Sequence, residues 1–393
     1  MYNCLRFKPS VNLSIGVELE IQLISTEDYD LTPSANHFLK RVSGSIYAKN
    51  IKPEITQSML EINSSPHTSI QELQIELAQI GEFMIEKANQ LDIFLAGGGT
   101  HPFQLWNKRK IFRDPKFERA ANKYGYLAKQ YTVFGLHIHI GCATPEDMLY
   151  LLHSLPRYVP QLIALSASSP FCQGIDTDFA SSRSTFVNAF PLYGLSPIIT
   201  DWEDFNLYID NLKSLSIIET IDNLYWDIRP RPEFGTIEIR VCDMPLSIQK
   251  VNHLTAYAQT LAYYLLSEKP DISYHHNESH LYQYNKFQAA RYGFSGRYIN
   301  PNSLQELTIK NDILNTYQLL IPYVEEFNNQ EFVSELMNSV IQEKNDTALI
   351  RSIYYNNGSL TEIIKFQIEQ FMNINYSSRI VHYKNSAYRD III

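Results

Sequence analysis

The nine residues Ile15-Gly-Val-Glu-Leu-Glu-Ile-Gln-Leu23 constrain the fold more than any other stretch of the chain. Apolar residues stand at 15, 17, 19, 21 and 23, with Glu18, Glu20 and Gln22 between them. A period of two is the signature of a strand with one buried face. Two carboxylates on one side of a straight strand lie about 7 Å apart, and at an effective dielectric near 20 they repel by roughly 2 kcal/mol. A solvated edge tolerates that, so taken alone the pair reads as a strand with its polar side in water.

The same design recurs, and this changes the reading. Leu136-His-Ile-His-Ile140 alternates imidazoles with aliphatics, Ile237-Glu-Ile-Arg-Val241 alternates a carboxylate and a guanidinium with aliphatics, and Met59-Leu-Glu-Ile-Asn63 is a weaker fourth case. Water alone would not select histidine and glutamate over Lys, Thr and Ser. Strands carrying acids, imidazoles and arginine on one side predict a sheet whose polar face is an active site.

The remaining segments read as scaffold. Ser69-Ile-Gln-Glu72 is a capping box, and the apolar positions Ile70, Leu73, Leu77, Ile80, Met84, Ala88 and Leu91 predict a helix of about six turns with one buried stripe. Ile93–Ala96 predicts a short strand running into Gly97-Gly-Gly-Thr-His-Pro-Phe103. Three glycines raise the question of a phosphate cradle, but the chain has no G-x-x-x-x-G-K-[ST], and a tight turn is the preferred reading. Lys52-Pro-Glu54 bends into the Met59 strand, and Thr144-Pro-Glu-Asp147 opens a helix. The polar stretch from Ala167 to Arg183 reads as a functional loop. Prolines on either side of Arg231 demand extended backbone. Beyond Gln249 the pattern is helical to about Ser267, again from the box Ser303-Leu-Gln-Glu306, near 330–342, and from Ser359-Leu-Thr-Glu362.

A chain of 393 residues with 45% hydrophobic composition can bury a large core, and no linker or repeat interrupts it. We expect a catalytic unit over residues 1–300 and a helical C-terminal extension over 301–393. The net charge of −9 argues against a nucleic-acid surface, and the local cluster Lys108-Arg-Lys110 with Arg113 reads as a solvated face. Cys4, Cys142, Cys172 and Cys242 are far apart and form no C-x-x-C, as expected of reduced thiols in a cytoplasmic protein. No run of 18 apolar residues occurs, so no membrane partner is expected. His37, His153, His253 and His275-His276 read as surface or satisfied histidines.

His-x-His beside acids implies a metal. Zinc favours compact His and Cys sets, whereas here Glu18, Glu20, Glu54, Glu61 and Glu238 outnumber His137 and His139, which favours magnesium or manganese. Glu18 and Glu20 are too far apart on a straight strand to grip one ion, so two neighbouring ions are expected. Such a site accommodates an anionic ligand reaching Arg240, and the polyphosphate of ATP fits that description.

At this point the chain resembles a known family. Gly16-Val-Glu-Leu-Glu20, Gly99-Thr-His-Pro-Phe103, Gly135-Leu-His-Ile-His-Ile-Gly141, Leu165-Ser-Ala-Ser-Ser-Pro170, Trp226-Asp-Ile-Arg-Pro230, Thr236-Ile-Glu-Ile-Arg240 and Asn285 to Gly293 are similar to motifs of the glutamate–cysteine ligase superfamily, above all its bacterial type-two branch. The resemblance implies an α+β fold, a curved antiparallel sheet related to the glutamine synthetase catalytic domain and flanked by helices. It also implies ATP-dependent joining of a small-molecule carboxylate and an amine through an acyl phosphate. For one ion it implies Glu18, Glu54 and Glu61, and for the other Glu20, His137 and Glu238. Arg240 matches the γ-phosphate contact, with Arg229 and Arg291 as further nucleotide contacts, and Arg183 joins Arg240 and Glu238 as catalytic. The branch also implies a homodimer or higher assembly. Departures stand at Leu19, Asp178, Ser182, Tyr225 and Phe287, most of them in loops where a substrate pocket would be shaped. Two competing readings use the same residues, a metal-dependent amide hydrolase and a non-catalytic binding protein on the ligase scaffold.

Overall fold

The computed structural model describes residues 5–271 and 278–373, so Cys4, His275, His276 and the last twenty residues of the expected extension lie outside the described residues. The chain is α+β. Its main sheet comprises β1 (Ile15–Ser25), β2 (Ile51–Pro53), β3 (Met59–Asn63), β4 (Ile93–Ala96), β5 (Gly135–Gly141), β6 (Ile228–Arg231) and β7 (Thr236–Asp243). The strand order is β6-β7-β5-β1-β3-β2, with β4 pairing the far end of β1, and every pairing is antiparallel. Strand β1 is central, as the alternation in its sequence demands.

Alternation sorts the side chains. Val17, Leu19, Ile21, Leu23, Leu136, Ile138, Ile140, Ile237 and Ile239 form the inner layer, each no more than 2% exposed. Helix α1 (Ile70–Asn89), α2 (Val159–Ser166) and α3 (Ile248–Glu268) cover this layer. Of the predicted capping box, the N-cap half forms: the Ser69 side chain accepts from the Glu72 N–H. Helix α3 is followed by α4 (Glu278–Tyr292), then by α5 (Ile309–Leu320), α6 (Gln330–Ile341), α7 (Asp346–Asn357) and α8 (Leu360–Met372). The core is continuous from Leu13 to Phe371 and includes residues of α5, α6 and α8. Among the described residues no helix is long and apolar enough to cross a membrane.

Two local expectations are corrected. The Ser303 box does not start a helix: Glu306–Thr308 pairs as a strand with Arg297–Ile299, and α5 begins only when Thr308 caps it. Cross-strand pairing outweighs a cap that has no apolar stripe directly behind it. Arg109 is not solvated either. It is 5% exposed and donates to Leu31 O at 2.7 Å and to Asp30 at 3.0 Å, while Lys108, Lys110 and Arg113 are exposed.

Candidate active site

Antiparallel register sets the polar face. Glu20 stands opposite Glu61, Glu18 opposite His137, and Glu238 is flanked by His139 on one side and Arg229 on the other. Groups from β1, β3, β5, β6 and β7 thus share one face that extends three strand spacings to one side of β1 and one to the other. His137 Nδ1 lies 3.1 Å from Glu18 and 3.5 Å from Glu238, and its Nε2 is 4.0 Å from Glu20. His139 Nε2 is 3.3 Å from Glu18, while its Nδ1 meets the Thr236 hydroxyl at 2.9 Å, which fixes the ring. Neither His137 Nε2 nor His139 Nε2 has a hydrogen-bond partner, although both are buried. Ligand atoms of Glu18, His139 and Glu238 all fall within 4.8 Å of one another. This group draws on both expected ligand sets and adds His139.

Glu238 is completely buried and holds an arginine cluster. Arg229 donates to it through Nε at 2.8 Å and Nη2 at 3.0 Å, Arg231 lies at 3.5 Å, and Arg240 also donates to it. Burial alone would raise its pKa, but the Arg229 and Arg240 guanidiniums hold it well below the usual carboxylate range. Glu18 is likewise raised by burial yet ends well below its ordinary value through His137 and His139. The opposite holds across β1. Burial, then the charge of Glu20, pushes Glu54 up to about 7, and burial with the charges of Glu18, Glu54 and Glu20 pushes Glu61 well up. One side of the site carries matched charge and the other an excess of carboxylate.

Arg183 is 2% exposed and opens a short helix whose first N–H bonds Ser169. Its guanidinium packs against β5 at Gly135, where a Cβ would fall 2.2 Å from Nη2, so any larger residue there would push the guanidinium off the strand. Arg183 Nε has no partner. The Gly135 N–H donates to Glu20 at 2.5 Å, which joins the arginine's platform to the carboxylate row. Arg291 lies apart, its guanidinium 3.7 Å from Asp178 and over the Phe179 and Tyr292 rings, and no contact joins it to Glu238 or Arg240.

The glycine turn is structural. A Cβ at Gly97 would meet Pro245 O at 2.2 Å, and one at Gly99 would meet Asp243 at 2.7 Å. His101 accepts from the Gln104 N–H and reaches Tyr29 O at 2.9 Å, and burial lowers its pKa to about 4. Ser168, Ser169 and Ser181 of the polar loop bond Asp243, so that part of the loop holds the fold. His37 is exposed, and His153 and His253 meet Ile199 O and Glu335, as expected of residues outside the site. Sequence reasoning missed Arg231, and also Tyr131, a ring whose buried hydroxyl lies in the combined field of Arg240, Glu20, Arg183 and Glu54. One tyrosine among 26 carries no signal of its own.

Comparison with known proteins accords with this geometry. A crystal structure of glutamate–cysteine ligase from Francisella tularensis in complex with AMP superposes with a TM-score of 0.69, covering 94% of this chain and 91% of that one at 15% identity. The family model described as Glutamate-cysteine ligase family 2 matches residues 14–347. "Putative glutamate--cysteine ligase 2-1" of Legionella pneumophila (strain Corby) is 46% identical over 94% of this chain and 96% of its own length. A "Putative glutamate--cysteine ligase 2" of Janthinobacterium sp. (strain Marseille) is 43% identical over 94% and 99%. The sheet, its acid- and imidazole-bearing face and these relationships define a carboxylate–amine ligase. The chain belongs to Glutamate-cysteine ligase family 2.

Proposed function

We propose that this protein forms an amide between a small-molecule carboxylate and an amine while cleaving ATP to ADP and phosphate, with two or more magnesium or manganese ions. The carrying observation is the convergence of Glu18, Glu20, His137, His139, Glu238 and Arg240 from three adjacent strands onto one buried polar face. The AMP bound to the Francisella ligase supports use of an adenine nucleotide.

The residues fit divalent ions. Two buried imidazole nitrogens without a hydrogen-bond partner, and carboxylates at Glu54 and Glu61 driven toward protonation by burial and by the charges of Glu18 and Glu20, describe a site short of positive charge. Glu18, Glu54 and Glu61 would hold one ion and Glu20, His137 and Glu238 another, with His139 beside both. When bound, the ions would neutralise charge on the phosphate oxygens.

Arg240 takes up charge on the transferring γ-phosphoryl group, and Glu238, bonded to Arg229 as well, fixes its direction. The substrate carboxylate oxygen attacks the γ-phosphorus and the bond to ADP breaks. The amine nitrogen then attacks the acyl carbon, phosphate leaves, and the nitrogen gives up a proton. Arg183, with one free guanidinium nitrogen, is suited to an anionic substrate group beside this centre. We further place the catalytic unit in residues 1–300, with the helices beyond as an extension on the same core, and the free buried thiols Cys142, Cys172 and Cys242 suit the cytoplasm.

The test is a screen of amino acids and amines, glutamate with cysteine first, for ADP release with magnesium and ATP. Release that requires both acid and amine is expected. Amide cleavage with nucleotide omitted, or no nucleotide turnover with any pair, overturns the reading.

A further inference from the structure

The motif Trp226-Asp-Ile-Arg-Pro230 and the stretch from Asn285 to Gly293 lie 55 residues or more apart in the sequence. They meet at a buried ion pair. Asp227 is 1% exposed and Lys286, from α4, is 6% exposed. Lys286 Nζ donates to both carboxylate oxygens of Asp227, at 2.9 and 2.7 Å, and to Asn188 Oδ1 at 3.1 Å. The Tyr282 hydroxyl, one turn earlier on α4, donates to Asp227 as well, and the Lys286 ammonium stands 4.0 Å over the Tyr193 ring. Asn285 anchors the same helix by exchanging two hydrogen bonds with the Ile299 backbone. Removing a carboxylate and an ammonium from water together is a poor route to stability, since apolar residues of equal volume do as well or better. Their presence calls for another reason.

The backbone supplies it. Strands β7 and β5 are in register at Ile239 opposite Ile138, and again at Cys242 opposite Leu136. Arg240 and Val241 therefore both face His137, a β-bulge in the middle of the site. A bulge re-aims one side chain and leaves its backbone outside the regular ladder. The Arg240 N–H points to the other neighbour, β6, where it continues the register of Ile228 opposite Ile239 by donating to Asp227 O at 2.9 Å. The Asp227 N–H in turn donates to Gly194 O at 2.9 Å. The residue whose side chain is clamped by Lys286 and Tyr282 is thus the residue whose carbonyl anchors Arg240, one of the two bulge residues, from the β6 side.

We propose that the Asp227–Lys286 pair, clamped by α4, is a positioning device that fixes the bulge and thereby the aim of Arg240 at the transferring phosphoryl group. Lys286 is fully engaged by protein partners, so it acts through Arg240 and touches no substrate. The catalytic part of this inference rests on the ligase reading, while the structural part does not.

The experiment compares wild type with Lys286→Met, Lys286→Arg, Arg240→Ala, the double variant Lys286→Met/Arg240→Ala, and the charge-neutral pair Asp227→Asn/Lys286→Met, which strands no buried charge. Steady-state ADP release is read together with hydrogen exchange in the peptide spanning 236–243. Loss of aim should lower kcat by about 10- to 100-fold with the KM for ATP nearly unchanged, for Lys286→Met and for the neutral pair alike. Lys286→Arg should recover part of that loss. In the Arg240→Ala background the Lys286 change should add less than about threefold, because a residue already removed has no aim to lose. Exchange over 236–243 should quicken in the neutral pair. A neutral pair with wild-type kcat, losses that multiply in the double variant, or unchanged exchange overturns the proposal. If wild type itself turns over no nucleotide, the ligase reading fails, and the exchange measurement still decides the clamp.

Discussion

Replacing Glu238 by Gln probes the most heavily charged point of the site. The side chain is 0% exposed, and Arg229, Arg231 and Arg240 all converge on its two oxygens. Glutamine keeps the shape but removes the charge that these three guanidiniums share. Breaking a buried pair by neutralising one partner costs roughly 3–5 kcal/mol. Unfolding entropy of about 2 cal/mol/K per residue makes each kcal/mol worth about 1.2 °C in a chain of this length. Glu238→Gln should therefore melt about 4–6 °C below wild type while remaining folded at 25 °C. Because the folded-state pKa of Glu238 is depressed, its contribution is fully present above the unfolded value of about 4.3 and is lost only as pH falls through the folded one. Thermal unfolding without nucleotide or metal, followed by circular dichroism at pH 5, 6, 7 and 8, should show a constant gap, and ADP release should be abolished. A variant as stable as wild type, or a gap that closes between pH 8 and 5, would refute the account of this cluster.

Glu54 behaves with the opposite sign. Its folded pKa is raised to about 7, so the metal-free protein loses stability as pH rises from about 4.3 through 7, and Glu54→Gln should raise Tm at pH 8 but leave it unchanged near pH 4. Millimolar magnesium or manganese should raise the Tm of wild type by mass action and do so far less for Glu18→Gln or Glu61→Gln, as differential scanning fluorimetry will read directly. Gly97→Ala should destabilise by about 3 kcal/mol, since its Cβ would meet the Pro245 carbonyl at 2.2 Å and backbone cannot yield, yet the folded fraction should keep wild-type KM for ATP. A raised KM there would restore the phosphate-cradle reading of the glycine run.

The strands and their polar face were legible because alternation is local: each of Ile15–Leu23, Leu136–Ile140 and Ile237–Val241 states by itself which side chains point together. The residue types on that face announced an acidic, cation-seeking site, and α1 with its Ser69 cap was equally explicit. What the sequence could not state was pairing. That Glu18 meets His137 across 119 residues, that β7 bulges opposite that histidine, and that Asp227 finds Lys286 are matters of register and packing. Glu306–Thr308 illustrates the limit, since a sound capping box there lost to a neighbouring strand. Arg109 shows it for charge, looking solvated in its basic run until Asp30 and the Leu31 carbonyl enclosed it. A local pattern fixes the direction of a side chain, because backbone geometry repeats every two or 3.6 residues. The neighbour it meets is chosen by the burial of the whole core, and only the assembled sheet carries that information.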